Sequence, residues 1–288
     1  MNLAAVFAVM LAALLASASV APAAEPGGTL KKIKERKSIV LGHRESSSPF
    51  SFVDDAGKPA GYSVDLCVRI AEAIGKDLGL KTLPIRWVKL TPENRMTAVA
   101  DGTVDLECGS TTATLSRQER VDFTITTFVD GGSLLSTDGA AIDGVKDLDG
   151  KRVAIIPGTT TEGSLTAALK RYVVTAQMVP VKDHAEGLAA VENGSADAYA
   201  SDRVILIGLG RKSAQRSKLS ISRQLFSYEP YGFMLRRGDA DFRLAANRAL
   251  SRLFRSEDIV TIYEKWFGEL GRPSPALILM YAITAIPE

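Results

Sequence analysis

Short apolar runs alternate along this chain with stretches in which apolar residues recur every three or four positions. This pattern predicts α/β layers built on parallel strands. Residues 38–41 form the first strand-like run, ending at Gly42-His43-Arg44, and 61–66 open a helix with apolar positions Leu66, Ile70, Ala73, Ile74 and Leu78. A strand over 83–88 completes a β-α-β unit, and a short helix over 94–100, a stop at Gly102 and a strand over 104–107 continue it. An extended segment over 125–136, broken by Gly131-Gly132, reads as a crossing to a second α/β unit. There, strands over 151–156, 173–181 and 196–200 alternate with helices entered at 157–162, at His184 and at Asp202-Arg203. Residues 218–226 read as the return crossing and 231–235 as a further strand. Amphipathic helices follow over 242–254 and 259–267, with Tyr263, Trp266 and Phe267 in the core. The expected organisation is a first lobe over 25–129, an inserted lobe over 130–224, and a return to the first over 225–288.

Composition narrows the function. The 288 residues are 46% hydrophobic and 24% charged, enough for two cores, and a net charge of +2 gives no basic excess for nucleic acid or an anionic membrane surface. Any positive site must be local. Residues 3–16 contain no polar side chain, and Ala21-Pro22-Ala23-Ala24 follows, so residues 1–24 read as an export signal cleaved near Ala23 or Ala24. Only Met1 and Asn2 precede the apolar run, without the usual basic residue. The leader Glu25-Pro26-Gly27-Gly28 has no cysteine to carry lipid, and the run over 276–286 is too short for a membrane helix, which points to a free periplasmic protein. Cys67 and Cys108 could pair in that compartment or remain two buried thiols; with two histidines they show no zinc spacing.

The richest stretch runs from Glu107 to Arg120. Val104, Leu106 and Cys108 alternate with polar residues as in a strand, and Gly109 stands where backbone approaches a ligand. Ser110, Thr111, Thr112 and Thr114 then offer hydroxyls, and Arg117 lies about one turn into a helix start, so donors could converge on a carboxylate. A capped strand-to-helix turn with an exposed arginine accounts for the stretch equally well. Arg44 and Arg95, each in a loop after a strand-like run, raise the anion-binding reading, since three such arginines suit an anionic ligand.

Six motifs occur in order: Gly-His-Arg-Glu-Ser-Ser at 42–47, Gly-Tyr-Ser-Val-Asp-Leu at 61–66, Glu-Asn-Arg at 93–95, Glu-Cys-Gly-Ser-Thr-Thr at 107–112, Gly-Thr-Thr at 158–160 and Lys-Asp-His at 182–184. Together they resemble the solute-binding proteins of amino-acid ABC transporters, family 3, and within them the glutamate/aspartate-binding group. The resemblance implies the type II periplasmic-binding-protein-like fold, with two α/β lobes joined by two extended hinge crossings and closing on the ligand. It implies that Arg117, with Ser110 or Thr112, holds the α-carboxylate, that Thr160 meets it from the second lobe, and that Asp202 takes the α-ammonium. Arg44, Arg95 and His184 would surround the side-chain carboxylate. Pro92 stands where members of the group carry a hydroxyl, which leaves glutamate-to-aspartate preference open, with Thr91 a possible substitute. The implied partners are L-glutamate or L-aspartate and the subunits of an inner-membrane ABC permease, for a monomer with no cofactor or metal.

Plainer readings compete. His184 could be an ordinary first residue of a helix, Asp202 could cap the helix that starts at Arg203, and His43 should point away from the face Arg44 serves. Glu93 and Glu107 raise an enzyme alternative, because dehydratases share this fold and a carboxylate in a cleft can move protons. Against it, no Ser-His-Asp order appears, and Gly158-Thr159-Thr160-Thr161 lacks the lysine of a phosphate loop. A ligand-loaded partner of a sensor or chemoreceptor would use the same site.

Overall fold

The computed structural model describes residues 27–140 and 142–287, so the expected export signal lies outside the described residues. Helix α1 (Gly28–Arg36) is the first element of the described residues and is absent from the sequence expectations. It is held by tertiary contacts: Thr29 and Ile33 are buried, and Asp239 accepts from the Thr29 N–H at 2.8 Å. The chain continues through β1 (Ile39–His43), a small sheet of β2 (Ser46–Ser47), β3 (Ser51–Val53) and β4 (Pro59–Ala60), and helix α2 (Tyr62–Asp77). Next are β5 (Ile85–Lys89), α3 (Arg95–Ala100), β6 (Leu106–Glu107), α4 (Leu115–Gln118) and β7 (Val121–Phe123). Strand β8 (Phe128–Asp130) leads across to β9 (Gly132–Thr137), β10 (Arg152–Ile155), α5 (Thr160–Tyr172), β11 (Gln177–Pro180), α6 (His184–Glu192), β12 (Ala198–Asp202), α7 (Arg203–Lys212) and β13 (Leu219–Ile221). The return runs through β14 (Glu229–Tyr231) to β15 (Met234–Arg236), α8 (Ala240–Phe254), α9 (Asp258–Phe267) and α10 (Pro275–Thr284).

Two five-stranded sheets result, in the orders β5-β1-β6-β15-β7 and β11-β10-β12-β9-β13. In each, the first three strands are parallel, so their carboxyl ends and the loops after them look into one gap, where α/β folds place ligands. Between the sheets β8 and β14 form an antiparallel pair, with Asp130 opposite Glu229 and Phe128 opposite Tyr231. The return crossing is thus β14, and not the 218–226 segment. Leu219–Ile221 is an edge strand of the second sheet, with Ile221 opposite Leu135. A short edge strand and a crossing carry the same extended pattern, and only the pairing partner separates them. Similarly, Val173 ends α5 in a left-handed conformation (φ 57°), and the strand expected over 173–181 begins at Gln177.

Both crossings are fastened to the first lobe by buried rings. Phe50 stacks edge-on against Phe128 (4.8 Å between centroids) and Tyr231 (5.1 Å), and Tyr62 packs on Phe267 at 5.1 Å. Burying such rings contributes about 1.5–3 kcal/mol each. Gly61, at the start of α2, has φ 130°, and a Cβ there would lie 2.2 Å from the Phe50 carbonyl oxygen. Cys67 of α2 and Cys108, just past β6, are joined in a disulfide spanning 41 residues. On loop-closure grounds it stabilises the fold by about 4 kcal/mol, and it pins the strand end that leads to Ser110.

The lobes also meet away from the gap. Gly208 of α7 sits so close to the first lobe that a Cβ would come 2.6 Å from the Ser48 carbonyl oxygen. One turn on, Arg211 donates to the Glu269 carbonyl at 3.0 Å, and Lys212 Nζ lies 3.7 Å from the centre of the Phe52 ring. Tyr263 and Phe267 are buried, and Trp266 packs on Phe52 and donates to Asp65 at 2.7 Å. Among the described residues, no helix is long and apolar enough to cross a membrane.

Candidate ligand-binding site

Three helix starts facing the gap are built by one local device. Thr114 accepts from the Arg117 N–H at 3.2 Å, Thr159 from the Glu162 N–H at 3.2 Å, and Asp183 from the Glu186 N–H at 2.9 Å. Glu162 and Glu186 reach back to the Gly158 and Lys182 N–H groups at 2.8 and 2.7 Å, so α5 and α6 begin with reciprocal caps. Rigid helix starts fix the side chains just inside them, Arg117, Thr160 and His184.

All eight residues singled out in the sequence line one crevice between the lobes: Arg44, Arg95, Ser110, Thr112 and Arg117 from the first, Thr160, His184 and Asp202 from the second. Arg117 donates to the Thr112 carbonyl at 2.7 Å, and the Thr160 hydroxyl lies 3.3 Å from that of Thr112, across the gap. Asp202 makes no capping bond to its helix; its carboxylate accepts instead from Thr161 at 3.1 Å and from the Tyr231 hydroxyl. The His184 Nδ1 is 2.7 Å from the Tyr199 hydroxyl. The space left among these side chains is about 30 Å³, room for roughly one water, so a larger ligand enters only when the lobes part or the arginines shift.

The crevice concentrates positive charge in a buried setting. Among the described residues none of its three arginines forms an ion pair, and Arg95 Nε is buried without a hydrogen-bond partner. Burial and then repulsion from Arg95 bring Arg44 down to about 9 and Arg117 down to about 10. Burial likewise lowers Arg95, against the charges of Glu107 and Asp202. His184 is driven down to about 3 by burial, Arg44 and Arg95, so its imidazole is neutral. With Nδ1 engaged by Tyr199, Nε2 is the ring nitrogen left for the crevice, and it is a donor in the tautomer in which Tyr199 donates to Nδ1. Asp202 is pushed up to about 6 by burial and by the neighbouring Glu229.

Residues 39–269 match the bacterial extracellular solute-binding proteins, family 3. The chain belongs to this family. It is 40% identical over 261 residues to the L-glutamate/L-aspartate-binding protein of Pseudomonas aeruginosa, covering 90% of this chain and 86% of the relative. It is 36% identical over 264 residues to the glutamate/aspartate import solute-binding protein of Escherichia coli, covering 91% and 87%. Among solved structures, an ancestral arginine-binding protein bound to glutamine superposes with TM-score 0.73 at 25% identity, over 81% of this chain and 99% of the other. An ancestral amino-acid-binding protein described as a precursor of cyclohexadienyl dehydratase does so with TM-score 0.71 at 27% identity, over 83% and 100%. The fold is that of the type II periplasmic binding proteins.

Several residues of this family-3 protein differ from the sequence expectations. Gly109 leaves no room for a ligand atom: a Cβ there would lie 2.1 Å from Glu107 Oε1 and 3.3 Å from Arg44 Cγ, so the glycine makes space for its own neighbours. Thr91 does not line the crevice, and its hydroxyl is turned to its own helix start, accepting from the Asn94 N–H at 3.2 Å, while Pro92 itself lines the crevice. Glu93 is exposed, and neither it nor Glu107 lines the crevice. His43, by contrast, lies outside the crevice as expected, edge-on to Trp87 at 6.0 Å. Sequence reasoning missed Thr161, Tyr199 and Ser201, which line the crevice, and Glu229 and Tyr231 behind it. The available signal for Tyr199 and Ser201 was two polar side chains two positions apart, on one face of the strand that ends at Asp202.

Proposed function

We propose that this protein captures L-glutamate and L-aspartate in the periplasm, closes its lobes on them and delivers them to an ABC permease in the inner membrane. The observation that carries the reading is the group of three guanidinium groups, Arg44, Arg95 and Arg117, gathered with a neutral histidine in one crevice and held there without ion-pair partners. An acidic amino acid supplies two carboxylates for them and an ammonium for Asp202. Charge-assisted hydrogen bonds contribute about 1.5–3 kcal/mol each, whereas a neutral side chain would leave buried guanidinium groups unsatisfied. The names of the Pseudomonas and Escherichia relatives support the same ligands and an import role. In this reading Arg117 and Ser110 hold the α-carboxylate, and Arg44, Arg95 and the His184 Nε2–H hold the side-chain carboxylate. The mature chain acts as a monomer without cofactor or metal.

A thermal-shift panel of the common amino acids tests the ligand. A ligand at 100 times its dissociation constant adds about 2.7 kcal/mol, worth about 5–10 °C in a protein of this size. Glutamate and aspartate should lead the panel; leadership by arginine or a neutral amino acid overturns the ligand assignment. Ligand released from the complex should be chemically unchanged, since neither candidate acid of the enzyme alternative faces the crevice; a product in the released fraction restores that alternative.

Affinity should depend on pH through Asp202. Its carboxyl titrates near 6 in the free protein and must be ionised to hold an ammonium, so the complex has the lower value. Binding is therefore at full strength above about pH 7 and weakens as pH falls through 6, by roughly tenfold at pH 5, where the glutamate side chain is still mostly ionised. Calorimetric titration from pH 8 to pH 5 checks this. An affinity constant across that range would remove Asp202 from the ammonium.

A further inference from the structure

The hydroxyls of Thr112 and Thr160 belong to opposite lobes, yet one oxygen receives both. Glu229 Oε2 lies 2.6 Å from Thr112 Oγ1 and 2.7 Å from Thr160 Oγ1, and Ser227 holds the other oxygen at 2.5 Å. Glu229 is 1% exposed and sits on the return crossing. A hydroxyl has a single hydrogen. Thr160 Oγ1 also lies 3.3 Å from Thr112 Oγ1, but Glu229 is closer and charged; with each hydrogen given to Glu229, both threonines have only lone pairs left to turn toward the crevice. Asp202 nearby, fed by Thr161 and Tyr231, is likewise an acceptor. Such a group suits an ammonium and repels a carboxylate.

We propose that Glu229 is a positioning residue: by taking the protons of Thr112 and Thr160 it makes both hydroxyls, together with Asp202, an acceptor-only pocket for the ligand's α-ammonium. The inference rests on the amino-acid-binding reading above and refines it, moving Thr112 and Thr160 from the carboxylate to the ammonium end. Arg117 and Ser110 remain for the α-carboxylate. Glu229 also adds charge. The groups acting on Asp202 are Glu229, Tyr231, Thr161 and Arg95, with Asp130 close by on the paired crossing, and after burial it is Glu229 that most opposes Asp202 ionisation.

Glu229→Gln removes the charge at nearly constant shape. Wild type and variant are titrated calorimetrically from pH 8 to pH 5 with L-glutamate, or with whichever amino acid leads the panel, since all share the ammonium. Two results are expected together. At pH 8 the variant binds at least about tenfold more weakly, the loss of one charge-assisted contact. Its acid limb also moves to lower pH, because Asp202 has lost a like-charged neighbour; Arg44, Arg95 and His184 are common to both proteins and drop out of the difference. Unchanged affinity overturns the proposal. Weaker binding with the limb still at the wild-type pH also overturns it, leaving Glu229 as a strut between lobes. If Glu229→Gln does not fold, Thr160→Val decides: about tenfold weaker binding with the limb in place is expected, and wild-type affinity overturns the proposal. A wild-type protein that binds no amino acid sinks the function itself and this proposal with it, whereas a fixed limb in a protein that does bind sinks the proposal alone.

Discussion

Arg117→Ala should weaken every amino acid ligand, acidic or neutral, by about 3–5 kcal/mol, the range for removing one partner of a buried charge pair. The α-carboxylate is common to all of them, and Arg117 is tied to the hydroxyl loop: its guanidinium donates to the Thr112 carbonyl at 2.7 Å, which fixes its orientation. Part of the loss will come from that tether, because Thr112 also faces the second lobe through Thr160. Arg117→Lys separates the two contributions. Lysine keeps the charge and gives up the planar fork, so it should recover only part of the lost affinity. Calorimetry with glutamate, aspartate and glutamine makes the comparison. Retention of wild-type affinity for any of the three would take the α-carboxylate away from Arg117.

The sequence revealed the scaffold and the charged half of the crevice for a common reason. Helical spacing at Leu66, Ile70 and Ile74, and polar caps such as Asp183 before His184, are local features that act over a few residues. Arginines in loops after strands also stand out locally, because long basic side chains at strand ends have few structural uses. What stayed hidden depends on partners distant in the chain. Helix α1 forms where Thr29 meets Asp239, 210 residues away, and 219–221 is a strand only because β9 lies beside it. Glu229, between Tyr228 and Pro230, carries no local signal, and its role appears only when Thr112 and Thr160, 117 and 69 residues away, converge on it. The Cys67–Cys108 bond was open for a similar reason: helix and strand were legible, and their distance was not.

Arg95→Ala should separate glutamate from glutamine. Arg95 is buried at the start of α3, its Nε has no partner, and its charge depresses Arg44, Arg117 and His184 together, so it is the group from which the positive field of the crevice spreads. A ligand side chain that is itself anionic is the natural partner for such a group. Removing Arg95 should cost glutamate and aspartate about 3–5 kcal/mol, roughly two to three and a half orders of magnitude in affinity, and should cost glutamine less than about tenfold. The ratio of the two affinities is the decisive quantity, because a general loosening of the crevice lowers both. Neighbouring charges shift as well: with Arg95 gone, Arg44 and Arg117 lose a like-charged neighbour and hold their protons more firmly, which leaves the other two carboxylate anchors intact. Competition of glutamine against glutamate on the purified variant gives the ratio directly. Equal losses for the two ligands would mean that Arg95 shapes the crevice without reading the ligand's side chain, and the preference for acidic amino acids would then have to come from Arg44 and His184 alone.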